Sequence, residues 1–209
     1  MSKSFFDQNW DKDNDEQKMQ TDQSPAKKTL VAIFEFIKTA TVIIFLALVI
    51  RFFIIQPFIV EGQSMLPTFE NNDYLITEKI SYMLRAPQRG EIVIFHPPDN
   101  PKVNYIKRII GLPGDHIEIK DGNIYVNSQK IKEPYLASDE NTSAITQDLS
   151  IKLKNNEYFV LGDNRNHSRD SREIGPIPRE SIVSRIWVRL LPLDNINAFA
   201  AVDYEGLSK

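Results

Sequence analysis

The hydrophobic positions of this chain form two patterns that meet near residue 55. From residue 30 the chain reads LVAIFEFIKTATVIIFLALVIRFFIIQPFIV, in which the run TATVIIFLALVI carries no charge and Pro57 is the first strong helix breaker. The hydrocarbon core of a bilayer needs about 20 residues of apolar helix. The pattern therefore predicts one transmembrane helix over residues 30–55. The polar residues 1–29 precede it as a disordered tail that cannot bury enough apolar surface to fold.

Two other interpretations of the apolar segment stay open. The segment could be a buried core helix, because its charge-free part, residues 39–50, has the length that such helices usually have. Against this, the apolar character continues through residues 52–55. A cleavable export signal is shorter and ends at a small-x-small site, which RFFIIQPFIV does not offer. Lys27, Lys28 and Lys38 favour a cytoplasmic N-terminus because positive flanks tend to stay in the cytoplasm, and Arg51 is a single opposing charge.

Beyond residue 55 the long apolar run gives way to short segments in which apolar and polar residues alternate, as in half-buried strands. Asp121-Gly122 between IEIK and NIYVN predicts a tight hairpin, because glycine accepts the positive φ of such a turn. We therefore predict a mainly β, antiparallel domain over residues 56–209, with the polar residues 132–156 as a surface excursion. The predicted strands are residues 74–76, 91–95, 105–110, 116–120, 123–126, 158–161 and 182–190.

Composition narrows the classes of function. The net charge of −3 and the lack of aromatic residues among the basic clusters argue against a nucleic-acid partner. The absence of cysteine excludes disulfides, thiol catalysis and thiolate metal sites, and it leaves the compartment open. His96, His116 and His167 lack metal-ligand spacing and are interpreted as structural or solvated. We expect no metal and no cofactor.

Two polar segments could carry chemistry, and each also has an ordinary structural interpretation. Ser64 lies in the turn-like segment GQSMLPT, where a serine is usually a hydrogen-bonding loop residue. In the predicted strand YIKRII, alternation places Lys107 on one face with Tyr105 and Ile109, and Arg108 on the other. Both cations could instead lie at a sheet edge with their charged tips in water.

A third polar segment, GDNRNHSRDSR at residues 162–172, follows the apolar run EYFVL. It fits a solvated loop and equally a buried ion-pair network that fixes a site. In this order, behind an N-terminal span, the three segments resemble those of type I signal peptidases, the membrane serine/lysine proteases that remove signal peptides from exported proteins. The resemblance covers most of residues 51–190. It rests on the membrane-exit strand and on SMLPT, RGEIVIF, YIKRIIGLPGD and GDNRNHSRDSR.

The resemblance implies roles for five residues of this chain. Ser64 is the expected nucleophile, and Lys107 is the expected general base. Ser168 is expected to hydrogen-bond the lysine amine. Asp170 and Arg172 are expected to form an ion pair that supports the site.

The proton chemistry of these roles is compatible with the sequence. A lysine must be neutral to act as a base, so its pKa of about 10.4 has to fall toward about 7–8. Burial on an apolar strand face can supply that change, and the neighbouring cation Arg108 can add a small part. The oxyanion site is less complete, because some family members carry a serine where this chain has Gly62. The backbone N–H of Ser64 is available as one donor, and the second donor is open.

These expectations describe a single-pass serine endopeptidase whose catalytic domain lies outside the cytoplasm, in the plasma membrane or in a thylakoid or other internal membrane. Its expected partners are the signal peptides of exported precursors, the lipid bilayer and the protein-export machinery. A related serine/lysine processing peptidase with a narrow client set is one alternative. A catalytically silent, membrane-anchored peptide-binding module is another, and the presence of both Ser64 and Lys107 argues against it.

Overall fold

The computed structural model describes residues 25–49, 51, 55–136 and 148–207. The chain divides into two compact units, Met1–Ile50 and Arg51–Lys209. Within the described residues, the first unit is a single helix and the second is a β-rich domain.

Helix α1, Pro25–Val49, is apolar along nearly its whole length. Its 25 residues extend about 37 Å at about 1.5 Å per residue, which exceeds the hydrocarbon thickness of about 30 Å. Glu35 and Lys38 form an i, i+3 ion pair at 2.6 Å. None of the apolar window within Ala26–Val49 is buried. By length and composition this helix can cross a membrane.

The helix occupies an earlier part of the chain than the predicted span of residues 30–55. It begins at Pro25, whose fixed φ and missing N–H suit the first turn of a helix. Ile55 does not continue a helix but opens strand β1, Ile55–Ile59, which pairs with the next strand along the chain. The β-branched and aromatic residues of this stretch suit a pleated strand. They are also apolar, so hydrophobicity alone did not show where the transmembrane helix ends and the strand begins. Parts of the predicted tail and span lie outside the described residues, namely residues 1–24, 50 and 52–54.

The second unit contains two antiparallel sheets. Its strands are β1 (Ile55–Ile59), β2 (Tyr74–Glu78), β3 (Ile92–Phe95), β4 (Tyr105–Gly111), β5 (His116–Lys120), β6 (Asn123–Val126), β7 (Gln129–Lys130), β8 (Leu149–Lys152), β9 (Glu157–Leu161), β10 (Ile177–Pro178), β11 (Ile182–Leu191) and β12 (Asn197–Ala198). In the described residues the larger sheet has the order β1-β2-β11-β3-β4-β9-β10, with β12 beside β11. Strand β1 lies at its edge and β4 in its interior. The predicted fold class, a mainly β, antiparallel domain after one N-terminal apolar helix, is confirmed.

The smaller sheet has the order β7-β6-β5-β8 in the described part of the chain. Asp121-Gly122 forms the predicted tight turn between β5 and β6, with φ of 49° and 73°. Strand β8 falls inside residues 132–156, so the prediction of a mere surface excursion is wrong for this part. Its Leu149 and Ile151 pack against the core, but four alternating residues within polar sequence are too short a pattern to identify. Residues 137–147 lie outside the described residues.

The predicted strands are all present, and each observed end lies within two residues of the predicted one. Two short helices, α2 (Ile80–Leu84) and α3 (Ser171–Ile174), are below the length at which an amphipathic pattern is recognisable. Strand β4 is buried on both faces, since Ile109 and Ile110 belong to different hydrophobic clusters. Polar side chains on β4 are therefore forced into a dry environment.

Candidate active site

Three segments that are distant in sequence meet beside strand β4. The turn after β1 carries Ser64, and β4 carries Lys107, whose Nζ lies 2.8 Å from Ser64 Oγ. The amine also donates to the Ile106 carbonyl oxygen at 2.9 Å. From the loop after β9, the Asn164 N–H donates to the Ser64 carbonyl oxygen at 3.1 Å. The predicted nucleophile and the predicted base are thus in hydrogen-bond contact.

Lys107 is a buried lysine, with only 3% of the residue exposed. Burial lowers the pKa of Lys107 from 10.5 to about 8, while the charges of Asp170 and Asp163 raise it and Arg172 lowers it. The expectation that the neighbouring cation Arg108 contributes to the lowered pKa is wrong. Arg108 projects from the other face of β4 and is paired with Asp163, so the contributing cation is Arg172.

The opposite face of β4 carries a closed ion pair. Arg108 Nε and Nη2 donate to the two carboxylate oxygens of Asp163 at 2.9 and 2.7 Å, and Nη1 donates to the Gly90 carbonyl oxygen at 3.1 Å. The guanidinium lies 3.8 Å from the centroid of the Tyr135 ring. Thr68 Oγ1 donates to Asp163 Oδ2 at 2.5 Å, which ties the Ser64 turn to the same carboxylate. The alternative of two cations with their tips in water at a sheet edge is wrong.

The loop after β9 contains residues 162–172, which the sequence allowed as a solvated loop or as a buried ion-pair network. The structure shows a largely buried ion-pair network. Arg172 Nε and Nη2 donate to the two oxygens of Asp170 at 2.8 Å each, so the two side chains form an ion pair, and their supporting role in the site stays a prediction. Asp170 Oδ2 also accepts a hydrogen bond from the Gly162 N–H at 2.9 Å. Asp170 is fully buried, whereas the Arg169 side chain is about half exposed. The Asp170–Arg172 pair therefore fixes the start of the loop.

Gly162 packs directly against the Ser64 turn. A Cβ at this position would lie 2.5 Å from the Ser64 carbonyl oxygen and 2.1 Å from Ser168 Oγ. Real side chains do not tolerate such distances, so the approach requires glycine.

A groove of about 710 Å³ opens in front of Ser64 and Lys107. Strand β1 and the turn after it form one wall, and the segment that enters β4 forms the other. Val60, Met65 and Ile106 supply apolar lining. Within the described residues β1 has a strand partner on one side only, so its outer edge can accept an extended peptide as an added strand.

A sequence profile of the family described as "Signal peptidase, peptidase S26" matches residues 33–191. The chain belongs to this family. It is 41% identical over 179 residues to a probable signal peptidase I-2 from Synechocystis, covering 83% of this chain and 79% of that protein. It is 36% identical over 185 residues to signal peptidase I from Bacillus licheniformis, covering 85% and 98%. The predicted enzyme class, a serine peptidase of the signal peptidase I type, is confirmed.

A solved structure is also similar to the chain. The crystal structure of a signal peptidase I from Enterococcus faecalis is 34% identical, with a TM-score of 0.43, and the match covers 48% of this chain and 97% of that one.

For Ser168, resemblance to the signal peptidases predicted a hydrogen bond to the Lys107 amine, and this bond is absent. Ser168 Oγ is buried and has no hydrogen-bond partner among the described residues. The hydroxyl lies instead against Gly162, while the amine donates to Ser64 Oγ and the Ile106 carbonyl oxygen. A supporting role for Ser168 stays a prediction.

Gly62 is where this signal peptidase lacks the serine hydroxyl of some relatives. Its φ is 92°, in the region that favours glycine, and no heavy atom lies within 4 Å of an added Cβ. The Gly62 N–H donates to Asn71 Oδ1 at 2.9 Å, so it is not a free second donor for an oxyanion. The Ser64 N–H stays the predicted donor.

In the described residues no histidine side chain is hydrogen-bonded to Ser64 or Lys107. His96 Nδ1 is 3.2 Å from the Val103 carbonyl oxygen, and His116 Nε2 is 2.9 Å from Ser150 Oγ. His167 is exposed and lines the groove. Across the described ranges no three histidine, aspartate or glutamate side chains form a group that could hold a metal ion.

Two residues that hold the Ser64 turn, Thr68 and Asn164, were not among the predicted site residues. Thr68 bonds to Asp163, and Asn164 Nδ2 donates to the Gln63 carbonyl oxygen at 3.0 Å. The only signal was a polar residue just after a proline or a strand. Asparagine and threonine are common there as ordinary turn formers, so that pattern did not identify them.

Proposed function

We propose that this protein cleaves N-terminal signal peptides from exported precursor proteins, with Ser64 as nucleophile and Lys107 as general base. The proposal rests on the 2.8 Å contact between Lys107 Nζ and Ser64 Oγ. A serine hydroxyl is a weak nucleophile unless a neighbouring base takes its proton. A lysine whose pKa is lowered by burial to about 8 can take it near neutral pH. Membership of the signal peptidase family supports the substrate class.

In this mechanism the neutral Lys107 amine accepts the hydroxyl proton as Ser64 Oγ attacks the scissile carbonyl carbon. Negative charge develops on the carbonyl oxygen, which accepts a hydrogen bond from the Ser64 N–H. The Lys107 ammonium then protonates the leaving amine, so the mature protein departs and the signal peptide stays esterified to Ser64. A water that gives its proton to Lys107 hydrolyses the ester and restores the free hydroxyl.

The other predicted residues act as supports in this proposal. The Asp170–Arg172 pair holds Gly162 against the Ser64 turn, which keeps the nucleophile at its distance from Lys107. Ser168 offers an unused hydroxyl next to Gly162, within the same loop.

An extended segment of the precursor occupies the groove beside β1 in this proposal. Main-chain hydrogen bonds to the free edge of the strand align the scissile bond with Ser64. Resemblance to the signal peptidases implies small residues at the first and third positions before the scissile bond. The apolar lining from Val60, Met65 and Ile106 suits such side chains.

Helix α1 anchors the protein in this proposal, with the N-terminus in the cytoplasm and the domain of residues 56–209 on the far side. Ser64 follows Val49, the last residue of the helix, by 15 residues, and this length of chain extends about 50 Å at most. Cleavage then takes place near the surface of the lipid bilayer, on precursors delivered by the export machinery. Protease added outside sealed cells should digest the domain and spare an N-terminal tag.

The decisive experiment compares Ser64→Ala and Lys107→Ala with the intact chain in lipid vesicles, on a purified precursor. Each variant should lose at least about 10³-fold in rate, because nucleophile and base act as one unit. Ser150→Ala and Lys152→Ala, on the exposed face of β8, are matched controls. Mass spectrometry of the products identifies the cut site. Wild-type rates in both site variants would contradict the mechanism, and binding without cleavage by the intact chain would indicate a silent peptide receptor.

A further inference from the structure

The loop residue Asn164 binds two consecutive carbonyl groups at the nucleophile. Its backbone N–H donates to the Ser64 carbonyl oxygen at 3.1 Å, and its side-chain Nδ2 donates to the Gln63 carbonyl oxygen at 3.0 Å. The Leu66 N–H donates to the same Gln63 oxygen at 3.2 Å. The carbonyl oxygen of Gln63 is thus held from two directions.

The orientation of the Gln63 carbonyl determines the orientation of the Ser64 N–H. Both groups belong to one trans peptide unit, which is planar, so the C=O and the N–H point in opposite directions. A hydrogen bond that fixes the carbonyl therefore also fixes the donor predicted to stabilise the oxyanion. The preceding Gly62 gives the turn no side-chain packing, because the space around its missing Cβ is empty.

Asn164 is itself firmly anchored. The preceding residue, Asp163, is fully buried and forms the bidentate pair with Arg108. One residue earlier, the Gly162 N–H donates to the buried carboxylate of Asp170. Because its backbone is held in place on both counts, the short side chain of Asn164 can hold the Gln63–Ser64 peptide in one orientation.

We propose that Asn164 is a positioning residue that directs the Ser64 N–H toward the oxyanion through its hydrogen bond to the Gln63 carbonyl. This inference rests on the proposed function of Ser64. It explains how a chain with glycine at position 62 maintains oxyanion stabilisation, since a donor held in place needs no reorganisation during the reaction.

The first test measures kcat and KM for Asn164→Ala and Asn164→Asp in the full chain, across a range of pH. At the high-pH plateau kcat should fall about 10- to 100-fold in both variants, which is less than the loss expected for removal of a donor outright. KM should stay within about twofold, because uniform substrate binding is unchanged. Asn164→Asp keeps the shape and the backbone hydrogen bond to Ser64 and replaces the Nδ2 donor with a carboxylate oxygen, which only accepts hydrogen bonds. The added negative charge raises the pKa of Lys107, so kcat is compared at the high-pH plateau, where the lysine is neutral. Asn166→Ala, at an exposed site in the same loop, is the matched control and should retain full activity.

The second test uses a peptide substrate whose scissile carbonyl oxygen is replaced by sulphur, a poorer hydrogen-bond acceptor. In the wild-type protein this replacement should slow cleavage by at least about tenfold, because it weakens the oxyanion contact. In Asn164→Asp the additional loss should be below about threefold, since the two changes remove the same interaction. A general structural defect would leave the effect of sulphur unchanged.

The outcomes separate this inference from the proposed function. Wild-type kcat in Asn164→Asp, or an equal effect of sulphur in wild type and variant, overturns the role of Asn164. Ser64→Ala tests the nucleophile separately, because it removes the attacking hydroxyl whatever the orientation of the backbone N–H at position 64. If Asn164→Ala fails to fold, Asn164→Asp, which preserves side-chain volume, carries both tests.

Discussion

Strand β4 buries two adjacent cations in opposite ways. Lys107 and Arg108 are each 3% exposed, on opposite faces of the strand. Burial lowers the pKa of the Arg108 guanidinium, but the hydrogen bonds and charge of Asp163 outweigh this, so its pKa is raised. Lys107 forms no ion pair with any carboxylate among the described residues, and burial lowers its pKa to about 8. The comparison indicates that a buried cation without a directly bound counter-ion has a lowered pKa, as the proposed base requires. A cation that is buried with its counter-ion stays charged and forms a structural link.

Lys107→Arg would place a guanidinium, which stays charged, on both faces of β4. We expect this substitution to cause the largest loss of activity. A guanidinium stays protonated at every working pH, so it cannot take the Ser64 proton. We expect kcat/KM to fall by about 10³–10⁴-fold between pH 7 and 10, the upper part of the usual contribution of a general base. Initial rates on a precursor measure this, with Lys152→Arg on exposed β8 as control. Activity within threefold of wild type would show that the lysine is not the base.

Asp163→Asn should break the closed pair on the other face. Arg108 would then be buried without its counter-ion, which destabilises proteins by about 3–5 kcal/mol. Denaturant unfolding of the full chain in detergent micelles measures the loss. Asp99→Asn removes the exposed partner of Arg169 and should change the unfolding free energy by less than about 1 kcal/mol. Equal effects of the two substitutions would refute the importance of burial.

Lys107→Met should stabilise the protein at neutral pH by about 3 kcal/mol, the equivalent of lowering the lysine pKa from 10.5 to about 8. Below pH 8 the folded and unfolded chains both hold the lysine proton, so the folded state bears the full penalty of a buried charge. Between pH 8 and 10.5 the unfolded chain holds a proton that the folded chain has lost, so wild-type stability rises with pH. The advantage of methionine should therefore shrink by pH 10. Unfolding at pH 7 and pH 10 measures both values, and a difference independent of pH would be the contrary result.

The same strand shows what could be predicted from the sequence. Period-two alternation correctly placed Lys107 and Arg108 on opposite faces, and the run of isoleucines indicated a dry surface. The pairing of Arg108 with Asp163 joins residues 55 positions apart, and no local pattern encodes which carboxylate reaches which face. Resemblance to the signal peptidases brought the Ser64 and Lys107 segments together, which spacing alone did not.

The errors have physical causes of the same kind. The predicted span continued to Ile55 because strand β1 is as apolar as the helix before it, and only its pairing with β2 distinguishes it. The expected bond from Ser168 to Lys107 depended on a side-chain position that Gly162 determines through close packing. Patterns of hydrophobicity identify faces and strands, whereas contacts within about 3 Å depend on the complete fold.

Arg172→Gln should have the smallest effect on the rate. It tests how far a nearby cation, in addition to burial, lowers the pKa of Lys107. In the wild type, kcat/KM should rise with pH through an apparent pKa of about 8, as Lys107 loses its proton. Arg172 lowers the lysine pKa and neutralises Asp170, which raises it, so the variant should titrate at higher pH. At pH 7 the rate should fall by less than about tenfold, since burial is the larger influence. Lys132→Gln, at an exposed site, should leave the profile unchanged. An unchanged profile would mean that the pair acts through geometry alone, because the loss of a nearby cation raises the pKa of a buried amine wherever its charge matters.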